Sequence, residues 1–209
     1  MKQILGRWLL LLLAAITFSA PMYAAPETYT LDKSHTYVLW SADHLGFTTQ
    51  YGKWYATGQL ILDKDNPSQS KVNVTIDVKD MVTGIPELDK HLKSNLFFDA
   101  EHYPTATFVS TKVTPQGDNK ATVEGTLTLR GVSKPVTLQV TLNKAGMNPI
   151  SNKMSVGFTA TSSINRSDFG INAFLPSVSD KVNLSIGAEA YQDQNKKQEQ
   201  DKGQVQGKE

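Results

Sequence analysis

Cysteine is absent from all 209 residues. Neither a disulfide framework nor a structural zinc set built on thiolates can therefore hold this chain together. An acylated amino-terminal cysteine of the bacterial lipoprotein type is excluded as well. Excess charge of one sign is also missing, since 21 basic and 20 acidic side chains leave a formal charge of +1. That balance gives no support to nucleic acid or to an anionic membrane surface as partner. Long hydrophobic runs are lacking too. The longest, Trp8 to Ile16, has nine residues, whereas a helix across a bilayer needs about 20. Stable membrane insertion is not expected. No G-x-S-x-G elbow places a nucleophilic serine, and no HExxH pair places a zinc ion.

What is present begins with an address. Lys2 and Arg7 precede the apolar run, and a short stretch then leads to Met22-Tyr23-Ala24-Ala25-Pro26. This is the layout of a secretory signal peptide, residues 1–24, cleaved after Ala24 or Ala25. Its loss takes the charge from +1 to −1. Export without cysteines means that the mature domain, 25–191, owes its stability to apolar burial. Residues 192–209 hold four acids, four bases and only Val205 as an apolar side chain besides glycine. Such a segment buries too little to offset its ordering entropy and reads as a disordered polar tail.

Between these ends apolar and polar residues alternate with period two, the mark of half-buried strands. Val72-Val74-Ile76-Val78, Val136-Leu138-Val140-Leu142 and Val182-Leu184-Ile186-Ala188-Ala190 are the cleanest runs. Five others centre on Val38-Trp40-Ala42, Trp54 to Leu62, Ala106-Phe108, Val123 to Leu129, and Met154 to Ala160. Segments rich in Gly, Pro, Asn, Asp and Ser separate them. One stretch, 86–96, reads as a short helix, with Pro86 in its first turn and Leu88, Leu92 and Leu96 on one face. Eight strands with one apolar face each can form a two-sheet sandwich or a closed barrel. Several runs of ten or more residues favour the barrel. The expected fold is all-β: an eight-stranded antiparallel up-and-down β-barrel of extended lipocalin-like form, wide enough for one slender ligand.

Four blocks resemble YceI-like proteins. They are Tyr29-Thr30-Leu31-Asp32-Lys33-Ser34-His35-Thr36 with Asp43-His44-Leu45-Gly46; His91-Leu92-Lys93-Ser94 with Phe97-Phe98-Asp99 and Tyr103-Pro104-Thr105-Ala106-Thr107-Phe108; Gly125 to Val136; and Ile164-Asn165-Arg166-Ser167-Asp168-Phe169-Gly170-Ile171. They stand in the family's order and span about Tyr29 to Tyr191. The family commonly carries an Arg-Asp pair before the His-Leu-Lys-Ser stretch, where this chain has Leu88-Asp89-Lys90. The departure touches a polar contact and not the fold. The resemblance implies a periplasmic, lipocalin-like barrel around a polyisoprenoid or other long-chain, fatty-acid-like amphiphile, with no cofactor beyond that lipid.

An isoprenoid tail forms no hydrogen bonds, so its site needs length, apolar walls and no water. The inward positions chosen as lining are Trp40, Trp54, Leu60, Val74, Ile76 and Phe108, then Leu127, Leu138, Val156, Phe158, Phe169 and Leu184. In any barrel such residues are core by default. His44 and Arg166 share the inward parity of their segments. A buried arginine needs a partner, so Arg166 faces either a polar head group at a mouth or a carboxylate such as Asp168. His44 serves as a core or rim histidine unless it joins that head-group site.

The function expected is periplasmic, non-catalytic lipid binding and transport. One rival is an enzyme built on His35, His44, His91 and His102 with Asp43, Asp89 and Glu101, but their spacing fits no metal motif. A second is an accessory protein presenting an isoprenoid quinone to a membrane electron-transfer partner. A third is a sandwich acting only as an interaction module, which predicts a filled interior. A homodimer is compatible with the sequence.

Overall fold

A computed structural model describes residues 25–192; the expected signal peptide and all of the expected tail but Gln192 lie outside them. Nine strands are formed: β1 Glu27–Leu31, β2 Tyr37–His44, β3 Thr48–Leu62, β4 Lys71–Asp77, β5 Thr105–Pro115, β6 Lys120–Leu129, β7 Val132–Met147, β8 Met154–Asn165 and β9 Lys181–Gln192. Helix α1, Pro86–Lys93, lies between β4 and β5. Each strand pairs antiparallel with its neighbours, and β3 pairs with β4 as well as β2, so the sheet closes on itself. Closure leaves no long free edge.

Nine strands make eight staves because β1 and β2 share one position. Both run antiparallel to β3, β1 against Gln59–Leu62 and β2 against Thr48–Tyr55. Both also pair with β9. Between them the chain leaves the ladder at Asp32–Thr36; the Asp32 N–H still donates to the Glu189 carbonyl at 2.8 Å, and the Thr36 side chain completes the pair. Its hydroxyl donates to the Glu189 carbonyl at 3.0 Å and accepts from the Glu189 N–H at 3.2 Å. Thr36 is only 2% exposed, which makes that exchange obligatory.

The structure corrects the sequence reading in four places. Strand β1 was not among the eight expected, since five residues with Tyr29 and Leu31 inward give too short an alternation. Helix α1 ends at Lys93 rather than 96. Ser94 turns extended, its N–H bonds the His91 carbonyl, and Leu96 is 55% exposed. Val78 leaves the β4 alternation for a 3-10 turn, Val78–Asp80, where Asp77 accepts from the Lys79 N–H at 2.9 Å. Gln192 belongs to β9, opposite Tyr29.

One end of the barrel is plugged. Trp40 and Trp54 lie 6.1 Å apart there, and Phe98 stands edge-on to Trp54 at 4.9 Å. Met81, Leu92, Phe97 and Phe169 pack around them. Arg130, in the tight β6–β7 turn, donates to the carbonyls of Gly170 and Asn95, tying both covering segments to the barrel. Arg166 secures the longer segment from inside. Its guanidinium donates to the carbonyls of Ser179 at 2.9 Å, Ile171 at 2.9 Å and Val178 at 2.8 Å. Asp180 closes the same corner by accepting from the Ser167 hydroxyl at 2.7 Å and N–H at 2.8 Å.

Two outcomes test these fastenings. Thr36→Val leaves the Glu189 N–H without its acceptor, while the Glu189 carbonyl keeps the Asp32 N–H, and should lower unfolding free energy by about 1–2 kcal/mol, read as a shift in urea midpoint. The Ser167 bonds, aided by the nearby Arg166 charge, hold the Asp180 carboxyl below its usual range. A lowered folded value adds stability that is complete above the unfolded carboxyl's pKa, near 3.9, and is lost as pH falls through the folded one. Asp180→Asn should therefore be less stable at pH 7 and show a shallower loss of stability below about pH 5, followed by tryptophan fluorescence during acid titration.

Candidate functional site

Above the plug the barrel is not filled. A cavity of about 510 Å³ runs from the middle of the barrel to the opposite end. There the β3–β4 loop, with Asp63 and Lys64, the β5–β6 turn, with Asp118, and the first residues of β4 and β6, Lys71 and Lys120, frame a mouth. Below this rim the walls are aliphatic and aromatic apart from Thr36 and Tyr37. The Thr36 hydroxyl is already committed to Glu189.

Closure and alternation together make this tunnel. Register places Phe108 opposite Leu127 and Val74, and Leu184 opposite Trp40 and Ser162, so inward positions form continuous rings. Two bulges keep the lining apolar where the phase would slip. One follows Ser110 on β5 and the other follows Leu142 on β7. Beyond them the inward parity changes from even to odd, which brings Val113 and Ala145 to the tunnel wall. Small inward residues, Ala56, Ala160 and Ala188, leave the space unoccupied. Gly125 is needed for close approach, because a Cβ there would stand 2.3 Å from Cζ of Phe108.

Of the positions chosen from sequence, Leu60, Val74, Ile76 and Phe108 line the tunnel, as do Leu127, Leu138, Phe158 and Leu184. Trp40, Trp54 and Phe169 do not; they are packed in the plug, because their bulk fills the closed end. Val156 is buried beside the tunnel among Tyr29, Leu31, Leu60 and Ala190. His44 ends β2 at the plugged end, where its backbone bridges to Val178. Arg166 is likewise far from the mouth. Its partners are backbone carbonyls rather than Asp168, and burial pushes its pKa down while Asp180 opposes that shift.

Lining residues not chosen include Val72, Val136, Val140, Leu142 and Ile186, all visible in the alternation. Val113 was hidden by the bulge, Lys64 by its position in a loop, and Lys71 and Lys120 by their position at strand ends. His35 and His102 each hydrogen-bond an aspartate three residues earlier, at 2.8 Å, and those carboxylates raise their pKa values. Among the described residues no group of three or more His, Asp or Glu could hold a metal ion.

Known proteins share this arrangement. Residues 29–190 match the model of the YceI-like domain. Protein YceI of Salmonella arizonae is 39% identical over 183 residues, covering 86% of this chain and 94% of its own. The same protein of Salmonella enteritidis matches equally well. Among solved structures, Burkholderia cenocepacia BcnA has a TM-score of 0.69 at 26% identity, over 76% of this chain and 98% of its own. The YceI protein of Campylobacter jejuni has 0.64 at 29%, over 73% and 90%. A polyisoprenoid binding domain from Saccharophagus degradans has the same fold, with a TM-score of 0.62 at 15% identity, over 79% and 98%. With the matched domain spanning almost every described residue, the chain belongs to the YceI-like family.

Proposed function

We propose that this protein is a non-catalytic carrier, exported to the periplasm, that holds one long-chain apolar lipid, a polyisoprenoid, inside its barrel. The observation that carries the reading is the tunnel: about 510 Å³, apolar below its rim and closed at one end. A filled sandwich or an ordinary core would have no such space, since protein interiors pack like organic crystals. The walls offer a ligand almost no hydrogen-bond partners, so they select for tail and not for head. The Saccharophagus degradans domain, a polyisoprenoid binding domain, shares the fold at 15% identity and supports that choice of tail. The leader-like segment before the domain supports export.

Binding energy in such a site scales with tail length. Each buried methylene is worth about 0.8 kcal/mol, close to a fourfold change in Kd. Association and the loss of tail freedom offset most of the total. Titration with alcohols of increasing chain length should therefore show affinity rising stepwise until the tunnel is filled, then levelling.

The direct test is native mass spectrometry of the purified mature protein, followed by solvent extraction and identification of what is released. An adduct whose mass matches a long-chain isoprenoid is expected; a bare polypeptide that takes up no added lipid would sink the proposal. Leu184→Asp sets a carboxylate in the tunnel wall and should empty it. Val109→Asp, on the outer face of β5, should retain the lipid. A folded Leu184→Asp variant with undiminished lipid would show that this face does not contact it.

A further inference from the structure

Towards the plugged end the β7–β8 ladder stops short. Strands β7 and β8 are paired from their hairpin down to Gln139 and Thr161, and no further. Yet β7 stays paired to β6 down to Val132, and β8 stays paired to β9 down to Asn165. The two strands therefore splay towards the plugged end, with Ser162 spanning the start of the gap by donating to the Thr137 carbonyl at 2.8 Å. A cleft lies along this seam. Its sides are polar and include Lys134, Lys181, Asn165, Asn183 and Asp168, while its apolar lining includes the half-buried Val136 and Ile164 and the buried Phe169. Val136 also lines the lipid tunnel. Tunnel and cleft are thus separated here by side chains, with no β7–β8 backbone pair to break.

Lys134 occupies an unexpected position. It follows the parity of Val136, Leu138 and Val140, and it pairs with Leu127 just as Leu138 pairs with Val123. Every one of those neighbours lines the tunnel. A lysine in a tunnel-facing register is expensive unless its ammonium reaches water or an anion, and at the seam it is exposed. Neither Lys134 nor Lys181 makes a side-chain hydrogen bond or ion pair among the described residues, and Asp168 is the only acid in the cleft. At the mouth Lys64 is held by Glu27 at 2.6 Å, and two acids, Asp63 and Asp118, line the same rim as Lys71 and Lys120.

We infer that the β7–β8 seam is a lateral head-group site, where an amphiphile whose tail lies in the tunnel places an anionic head between Lys134 and Lys181. The inference rests on the carrier reading above. It adds a preference that the apolar walls cannot supply: an acidic head, phosphate or carboxylate, over a neutral one on the same tail. Charge-assisted hydrogen bonds from ammonium to phosphate supply that preference, and the amides of Asn165 and Asn183 provide further donors on the same cleft.

The test compares geranylgeranyl phosphate with geranylgeraniol, titrated into the delipidated full-length mature protein at pH 7 and followed by tryptophan fluorescence. The unaltered protein should favour the phosphate by about tenfold. The double variant Lys134→Met, Lys181→Met should bring that ratio near one while leaving the alcohol's Kd unchanged. Lys71→Met with Lys120→Met, at the mouth, should keep the full ratio. A ratio lost in the mouth variant and kept in the seam variant, or absent from the unaltered protein, would overturn the seam assignment while leaving the carrier reading intact. If neither lipid binds the unaltered protein, the carrier reading fails, and the seam proposal falls with it.

Discussion

The constraint on which this structure depends is the closing of the hydrogen-bond ladder. Once β3 pairs with β4 as well as β2, every inward side chain must share one lumen, and alternation along the strands decides what that lumen contains. Apolar burial is then the main means of stabilising a cysteine-free domain, and it is also what creates a site for a tail. The two demands conflict, because a core that filled the lumen would be more stable and would bind nothing. The molecule divides them along the barrel axis. Aromatic bulk is concentrated at one end, around Trp40, Trp54 and Phe169, while alanines at 56, 160 and 188 leave the other half under-filled.

Departures from regular pairing are where the barrel acquires its particular shape. At Asp32–Thr36 a stave breaks, and one hydroxyl repairs the ladder. At Ser110 and Leu142 an extra residue resets the phase, so that Val113 and Ala145 face inward at the mouth instead of Lys112 and Lys144. At the β7–β8 seam pairing ends early, and the 166–169 turn lies against β7. Side-chain hydroxyls answer freed backbone groups at two of these exceptions: Thr36 accepts from the Glu189 N–H, and Ser162 donates to the Thr137 carbonyl.

Much of this was legible in the sequence, for a physical reason. Period-two alternation over runs such as Val72–Ile76 and Val136–Leu142 states directly which side of the wall each residue takes, so strand identity and most of the lining could be read. Three things could not. Strand β1 is too short to show a period and is held by partners distant in sequence. Bulges shift parity without changing composition, which hid Val113. Alternation also reports facing without reporting height along the axis, so Trp40 and Trp54 looked like lining when they are floor. Arg166 showed the same gap in another form: its burial was apparent from parity, but three backbone carbonyls as its partners were not.

The tryptophan floor has an optical consequence. Of the three tryptophans in the sequence, Trp8 lies outside the described residues, and the other two sit side by side beneath the tunnel. Indole emission from the domain therefore originates at one known depth. Heavy-atom or spin labels placed at successive carbons along a bound chain would dim that emission according to their distance from it, and the protein's own chromophores would serve as a gauge of how its cargo is oriented.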